Sequence, residues 1–370
     1  MGHARGLGRR TRAAVIASAL AVVLSACGRD AVVLEDGASS DLRGDIAGSG
    51  SSAQEKAQNA WVAEFSIRNT GVIVSYDPTG SGAGREQFIT GTVDFAGTDA
   101  ALKPDEIEGA IARCSGSEPL ELPLYISPIA IVYNLPDLGV DHLNMTPAMI
   151  AQAFTGEISR WDDPAIAAVN PDAELPDLPI IPVNRSDESG TTESFAEYLA
   201  AAAGEAWPHE PDGVWPITGT QSGAQTSGVL EVVTGAEGTF AYVDASRAGD
   251  LGTVAVGVGD EFVPFSSEAA ARVLEISEPT EDASDLRLTY ELARDTTESG
   301  TYPVVMVSYL VACSTYRSAV DAENVAAYLS FIASTEGQEV ASRPSVAGTA
   351  PITEGLRSRV QAAIDQISGG

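Results

Sequence analysis

A repeated order of strand, polar glycine-rich loop and helix constrains the fold of this chain more than any other feature. "GVIVSYDPTGSGAGREQFITG" (71–91) and "LPIIPVNRSDESGTTESFAEYLAAAAG" (178–204) each pass from β-branched residues through a polar loop into a helix-forming stretch. Strands that alternate with helices predict an α/β fold with largely parallel pairing. "NMTPAMIAQAFTG" (144–156) predicts a further helix, capped by Thr146 with Pro147 at its first position.

The N-terminal segment has the composition of an export signal. Basic "GRRTR" precedes apolar "AAVIASALAVVL", and "LSAC" ends the run at Cys27. This order predicts a signal peptide over 1–26, whose apolar run is too short to span a membrane comfortably. "LSAC" resembles the lipobox of bacterial lipoproteins, which implies a lipid on Cys27 and anchoring to the outer face of the cell membrane. The alternative is a plain secretory signal with an incidental cysteine. We interpret 27–46 as a tether.

The net charge of the chain narrows the class of partners. The chain has 21 basic and 52 acidic residues, a net charge of −31. Such a surface repels nucleic acid, which proteins bind through basic residues. A small anion is not excluded, because local amide groups and one arginine outweigh distant, screened charge.

Outside the cytoplasm we expect Cys114 and Cys313 to form a disulfide; the alternative is two buried free thiols.

Three polar loops at the start of helices suggest an anion site. They are "GSGSSA" (48–53), "TGSGAG" (79–84) and "RSDESGTT" (185–192). Helix N-termini offer unpaired N–H groups and partial positive charge, and Arg185 adds a planar fork of donors. Each loop alone also fits an ordinary helix cap or turn, and Ser51 or Ser52 fits a cap of the first helix. Together the loops predict an anion site at the carboxyl ends of the strands.

The loops and their surroundings resemble the phosphate-binding lipoproteins of bacterial phosphate ABC importers. "GSGSSAQ" resembles the family's "GAGAT/S-F-P" loop, and "TGSGAGREQFITGTVDFAGTD" resembles "GSSGG…QI…TVDFGASD". "AFTGEISRWDDPAI" is similar to "FLGKIKKWDDPAI", "NRSDESGTT" to "RADGSGTS", and "EGTFAYVDAS" to "GSIGYVEYA". The resemblance covers most of residues 47–335.

The resemblance implies a site residue by residue. Asp187 would hold the guanidinium of Arg185, and Arg85 would face solvent. Ala53 stands where the family often has an aromatic residue, so only its backbone would contact the ligand. The implied phosphate ligands are Ser52, Ala53, Ser81, Asp99, Arg185, Ser189, Gly190 and Thr191.

Asp99 is the implied selectivity element. A buried carboxylate beside an anion is tolerable only if the ligand has a proton to donate, as phosphate does near neutral pH and sulfate does not. Without the family spacing, a loop aspartate that caps a turn or faces water is the better interpretation.

The resemblance also implies the architecture and the partners. We expect a type II periplasmic-binding fold, each lobe a mostly parallel sheet flanked by helices. Lobe I would comprise 47–130 and 303–370, and lobe II 131–302, with crossovers near "SPIAIVYN" and "TYPVVMV". The expected function is binding of inorganic phosphate and delivery to the transmembrane permease subunits, without cofactor or metal.

Two alternatives to this function remain open from the sequence, which also leaves open a second role in surface adhesion or signalling. The same scaffold would also suit another oxyanion, such as sulfate, molybdate or a phosphonate. The other alternative is a secreted phosphatase-like enzyme. His3, His142 and His209 are scattered without metal-ligand spacing, and no G-x-S-x-G motif is present, which argues against the enzyme.

Overall fold

The computed structural model describes residues 41–370. The signal peptide and Cys27 lie outside the described residues. The strands are β1 (Gly44–Gly50), β2 (Val72–Asp77), β3 (Phe95–Thr98), β4 (Pro119–Tyr133), β5 (His142–Met145), β6 (Ile181–Arg185), β7 (Gln221–Gly223), β8 (Thr239–Asp244), β9 (Gly252–Val258), β10 (Glu261–Val263), β11 (Glu278–Pro279), β12 (Tyr290–Glu291), β13 (Val305–Cys313), β14 (Thr315–Tyr316) and β15 (Ser368–Gly369). The helices are α1 (Glu55–Arg68), α2 (Ser81–Ile89), α3 (Pro104–Arg113), α4 (Pro147–Thr155), α5 (Pro164–Val169), α6 (Gly190–Ala202), α7 (Gln225–Gly235), α8 (Ser267–Glu275), α9 (Ala319–Ala333), α10 (Thr335–Ser342) and α11 (Glu354–Ile364).

One large mixed sheet organises the described residues. Its order is β2-β1-β3-β13-β4-β8-β6-β7, and β9 joins it through β4 and carries β5 and β10. Pairing is parallel between β1 and both β2 and β3, between β6 and both β7 and β8, and between β5 and β9. Strands β4 and β13 run antiparallel to their neighbours. Helices that connect parallel strands confirm the predicted α/β class.

Strand β4 links the two halves of the sheet. All 15 of its residues are buried; its first part pairs with β13, and its last five residues pair with β8. Burial on both faces explains the nearly continuous apolar run "LPLYISPIAIVY". Residues 41–370 lie within a single compact unit, so the division into two lobes at 130 and 302 stays a prediction.

The first strand and the first helix both begin differently from the sequence expectation. Strand β1 begins at Gly44, paired with Val72, so the last three residues of the predicted tether belong to the sheet. Helix α1 begins after Gln54 with no side-chain cap, so the capping prediction for Ser51 or Ser52 is wrong. Ser51 Oγ accepts a hydrogen bond from the backbone N–H of Ala53 instead.

The predicted start of α4 is confirmed. Thr146 Oγ1 accepts a hydrogen bond from the N–H of Met149, and Pro147 occupies the first helical position. Proline is favoured there because its missing N–H would have no intrahelical partner. Thr146 is the single residue between β5 and α4, and Phe154 of α4 is buried in the core.

A continuous apolar cluster fills the space between the sheet and the helices. Its largest members include Trp61 and Trp161, each fully buried with its indole N–H donating to a backbone carbonyl. Among residues 41–370 no helix combines the length and the apolar character that a membrane span requires.

The predicted disulfide is present. Cys114 follows α3 and Cys313 ends β13, with their Cα atoms 5.1 Å apart. The bond joins positions 199 residues apart in sequence. Loop-closure entropy for a loop of this length corresponds to about 5 kcal/mol of stabilisation, the upper end of the usual range.

Removal of this disulfide is therefore expected to lower the free energy of unfolding by about 5 kcal/mol. The double variant Cys114→Ala/Cys313→Ala should show this loss in urea unfolding, and reductant should destabilise only the parent protein. A loss below about 1 kcal/mol would contradict the argument from loop length.

Candidate functional site

Polar residues from distant segments meet at the carboxyl ends of the parallel strands. Asp99 follows β3, Ser81 begins α2 after β2, and Arg185 ends β6. The N–H of Asp99 donates to Ser81 Oγ at 3.2 Å. All three residues are buried. Parallel pairing of β1, β2 and β3 places Ser81 and Asp99 at the carboxyl ends of one group of strands. Strand β6 belongs to the other parallel group and runs opposite to β3, so its carboxyl end brings Arg185 and the third loop against them.

Asp99 lies at the centre of these contacts. Thr191 Oγ1 donates to Asp99 Oδ2 at 3.0 Å, and the Asp99 side chain is almost fully enclosed. Thr191 belongs to the first turn of α6, whose first N–H groups have no partner within the helix. A buried carboxylate therefore faces a helix N-terminus, a position with positive potential.

Gly190 explains how closely these segments approach. A Cβ atom at Gly190 would lie 2.7 Å from Ser81 Oγ and 2.9 Å from the backbone nitrogen of Asp99. Any side chain would therefore force the loop before α6 away from β3 and α2. The glycine brings the predicted residues of the second and third loops into direct contact.

Ser189 satisfies the capping interpretation of the third loop. Its Oγ accepts a hydrogen bond from the N–H of Thr192 at 3.2 Å, and its own N–H donates to the carbonyl of Gly213. The hydroxyl thus caps α6, while the predicted contact of Ser189 with an anion stays a prediction.

Arg185 and Asp187 form a bidentate ion pair. Arg185 Nε donates to Asp187 Oδ1 at 2.8 Å, and Nη2 donates to Oδ2 at 2.5 Å. The N–H of Gln225 also donates to Asp187 Oδ1. Burial alone would raise the pKa of Asp187, but the hydrogen bonds and charge of Arg185 lower it below its usual value. The guanidinium is held by Asp187, the residue to which the family resemblance assigned this role.

Ser52 and Ala53 lie in the same region but have other partners. Ser52 Oγ lies 3.0 Å from Thr226 Oγ1 and accepts the N–H of Thr226 at 3.1 Å. The N–H of Ala53 donates to Ser51 Oγ, and its carbonyl accepts from the hydroxyl of Tyr125. Their predicted contacts with an anion stay predictions.

The sequence interpretation missed the start of α7. Gln225 contacts Asp187 and Thr226 contacts Ser52, so this helix start joins the first loop to the third. Gln225 has a positive φ of 59°, which is unusual for a residue with a side chain. The preceding "QSGA" (221–224) is polar and glycine-containing like the other loops, and this signal was available in the sequence.

The prediction that Arg85 faces solvent is wrong. Arg85 is 1% exposed and donates to Glu106 Oε1 at 2.8 Å, Thr98 Oγ1 at 3.0 Å and Glu188 Oε1 at 3.0 Å. Helix α2 directs it toward α3 and the third loop rather than outward. Its donors match carboxylates on both sides, so burial of the charge is compensated.

Glu193 is a half-buried residue near this arginine, and one of its carboxyl oxygens is enclosed. Burial raises the pKa of Glu193 to about 7; Arg85 and Lys103 act in the opposite direction, and Glu197 and Asp212 raise it further. Its Oε2 atom has no hydrogen-bond partner among the described residues. The folded pKa exceeds the unfolded value, so the contribution of Glu193 to stability is present below pH 4.5 and is lost as the pH rises through about 7.

Glu193→Gln is therefore expected to stabilise the protein at pH 8 by about 2 kcal/mol and to have no such effect near pH 4.5. Urea unfolding of both proteins across this range tests the sign. A variant that loses stability equally at both pH values would contradict the assignment.

The described residues contain no group of three or more His, Cys, Asp and Glu side chains that could hold a metal ion.

Comparisons with known proteins support a single class of protein. The profile of the PBP superfamily domain matches residues 37–336. The phosphate-binding protein of Stenotrophomonas maltophilia has a similar structure, with a TM-score of 0.66, 18% identity, and coverage of 86% of this chain and 94% of that chain. This likeness confirms the predicted fold, that of the type II periplasmic-binding proteins.

Two relatives define the family more narrowly. Phosphate-binding protein PstS 3 of Mycobacterium tuberculosis (strain ATCC 25618 / H37Rv) is 32% identical over 376 aligned positions, which cover 98% of this chain and 100% of that protein. PstS 2 of the same strain is 31% identical over 376 positions, which cover 97% and 99%. The chain belongs to the PstS family of phosphate-binding proteins within the PBP superfamily.

Proposed function

We propose that this protein binds inorganic phosphate outside the cytoplasm and delivers it to an ABC-type phosphate import permease. The observation that carries the proposal is the buried Asp99 carboxylate, in contact with Thr191 at the start of α6. The names of the relatives, both of them phosphate-binding proteins, agree with it.

The surroundings of Asp99 suit an anion that carries a proton. Thr191 and Gly190 belong to a helix start, which attracts negative charge through its free N–H groups. Arg185, preorganised by Asp187, offers a charged donor suited to a tetrahedral oxyanion. Against these donors stands one acceptor, Asp99, which requires a hydrogen from the ligand. HPO4²⁻ and H2PO4⁻ supply one; sulfate does not.

The predicted ligands divide between the proposed lobes. Ser52, Ser81 and Asp99 belong to lobe I (47–130 and 303–370). Arg185 and Thr191 belong to lobe II (131–302). Phosphate between them would favour the closed arrangement, which is the form we propose to engage the permease.

We further propose that Cys27 carries a lipid that anchors the protein to the extracytoplasmic face of the cell membrane. The protein is expected in the membrane fraction, and Cys27→Ser is expected to release it; a variant that stays in that fraction would refute the anchor.

We propose that the protein is a binding protein and not an enzyme. An oxyanion such as sulfate, molybdate or a phosphonate is the main alternative ligand, and a phosphatase-like activity is the second. Asp99 favours phosphate over fully deprotonated oxyanions because their binding would leave its charge unpaired.

Calorimetric titration of the purified, ligand-free protein at neutral pH tests the function. Phosphate is expected to bind at one site per chain, and sulfate to give no heat. Absence of both heat and thermal stabilisation with phosphate would refute the proposal. Release of phosphate from a phosphomonoester, absent from an Asp99→Asn control, would favour the enzyme.

A further inference from the structure

A chain of buried hydrogen bonds runs from the core to the carboxylate of Asp99. Its four donor groups come from three separate elements: the start of α1, β13 and α9. Asp99 accepts at one end, and the chain passes through Ser308, Gln54, Gln58 and Tyr328, all of them fully buried. The residues on this path are called the relay below.

The relay begins where β13 passes Asp99. Tyr309 pairs with Thr98 in the antiparallel ladder between β13 and β3, so Ser308 lies opposite Asp99. Ser308 Oγ donates to Asp99 Oδ1 at 2.6 Å; the carbonyl of Thr98 is a second acceptor at 3.2 Å. The ladder between β13 and β4 shifts register between Ser308 and Tyr309, an irregularity of the kind that redirects a side chain.

The amides of two glutamines continue the relay. Gln54 Nε2 donates to Ser308 Oγ at 2.5 Å, and Gln58 Nε2 donates to Gln54 Oε1 at 2.9 Å. The two glutamines stand four residues apart at the start of α1, so they share one face of the helix. The hydroxyl of Tyr328, on α9, donates to Gln58 Oε1 at 2.9 Å.

The hydrogen bonds of the relay have one consistent direction. The hydroxyl of Ser308 has a single hydrogen, and giving it to Asp99 leaves its oxygen to accept from Gln54. Each glutamine then presents its carbonyl to the next donor. Reversal of one amide would place two NH2 groups, or two acceptors, against each other. The phenol of Tyr328 ends the chain as a donor, because burial raises its pKa well above the usual value.

Gly97 shows that the relay is closely packed against β3. A Cβ atom at Gly97 would lie 2.9 Å from Gln54 Oε1 and closer still to the hydroxyl of Tyr76. The glycine two residues before Asp99 therefore leaves room for the amide of Gln54. This packing holds the relay in place on the core side of Asp99.

We propose that Ser308, Gln54, Gln58 and Tyr328 are positioning residues that set the selectivity of the site. The relay fixes the carboxylate plane by donating to Asp99 Oδ1. Oδ2 already accepts from Thr191 and keeps a second lone pair as the acceptor for the proton of the ligand. This inference rests on the proposed function, since it assigns the discrimination between protonated and fully deprotonated oxyanions.

The relay strengthens discrimination against sulfate because it prevents rotation of the Asp99 carboxylate. A carboxylate that turned freely would rotate away from sulfate and lessen the penalty of an unpaired buried charge. A fixed carboxylate cannot, so sulfate meets the full penalty. Phosphate gains from the same fixed geometry, because its hydrogen bond to Asp99 needs no reorganisation.

Phosphate and sulfate affinities of three variants test the relay. Ser308→Ala removes the donor to Asp99, and Gln54→Met removes one amide at similar volume. Thr239→Val is the matched control, since it removes a fully buried hydroxyl that donates to the carbonyls of Val233 and Ala236 instead. Calorimetry gives the phosphate affinity, displacement of bound phosphate by excess sulfate gives the sulfate affinity, and thermal unfolding reports stability separately.

Ser308→Ala is expected to lower the ratio of phosphate affinity to sulfate affinity by about tenfold or more, and Gln54→Met by about threefold. Thr239→Val is expected to lose stability while its ratio stays that of the parent protein. If Ser308→Ala does not fold, the affinity ratio of Gln54→Met alone tests the relay.

The proposed role of the relay would be overturned if the parent protein is selective and both relay variants keep its phosphate-to-sulfate affinity ratio within about twofold. That outcome would leave the proposed function intact. A parent protein that does not bind phosphate would refute the proposed function itself. The two failures are therefore distinguishable in one series of titrations.

Discussion

Arg185→Met is expected to lower phosphate affinity by about a thousandfold. The substitution removes the charged donor of the proposed site. It also removes the cation that pairs with the half-buried carboxylate of Asp187, which keeps only the hydrogen bond from the N–H of Gln225. This negative charge would then lie close to the incoming anion. Both effects act against the ligand. Calorimetry or competition with labelled phosphate gives the affinity.

Two further variants separate charge from geometry and from general damage. Arg185→Lys keeps the charge but not the planar fork, and we expect it to recover only part of the affinity. Arg294→Met is the matched control, because Arg294 is also buried and paired with a carboxylate, that of Glu197. It should lose stability and keep phosphate affinity. An Arg185→Met protein with the parent affinity would exclude Arg185 from the site.

Asp99→Asn is expected to raise sulfate affinity by about a hundredfold or more and to lower phosphate affinity. The amide has no charge to leave unpaired and can donate to a sulfate oxygen. The parent carboxylate can only accept. The phosphate-to-sulfate ratio should therefore fall far more than either affinity changes alone.

The control for this variant must also lose one negative charge nearby. Asp94→Asn does so, since Asp94 lies just before β3 and accepts a hydrogen bond from the N–H of Ala47. Its phosphate-to-sulfate ratio is expected to equal that of the parent protein. If Asp99→Asn leaves sulfate silent while phosphate still binds, selectivity does not depend on this carboxylate.

The local parts of the site could be predicted from the sequence. Arg185 and Asp187 stand two residues apart, and the Ser-Gly-Thr that follows has the composition of a helix start. The cap of Ser189 and the start of α4 at Pro147 are likewise local, because they depend on neighbours within four residues. For such features, residues that are close in sequence are necessarily close in space.

Charged and polar partners far apart in sequence could not be predicted in this way. Arg85 was expected in solvent, yet it pairs with Glu188, which lies 103 positions later in the chain. The polar stretch before α7 was visible in the sequence, but its contacts with the first and third loops were not, and neither was the approach of Ser308 to Asp99, 209 positions apart. No periodicity relates such positions.

The sequence by itself determined the α/β class, the three loops at helix starts and, through the family resemblance, the residues expected to bind the anion. It also favoured the pairing of Cys114 with Cys313, because only these two cysteines follow Cys27. Tertiary structure decided which side chains share one enclosed volume. A buried donor or carboxylate must find its partner within about 3 Å, and only the packed sheet determines which residues come that close.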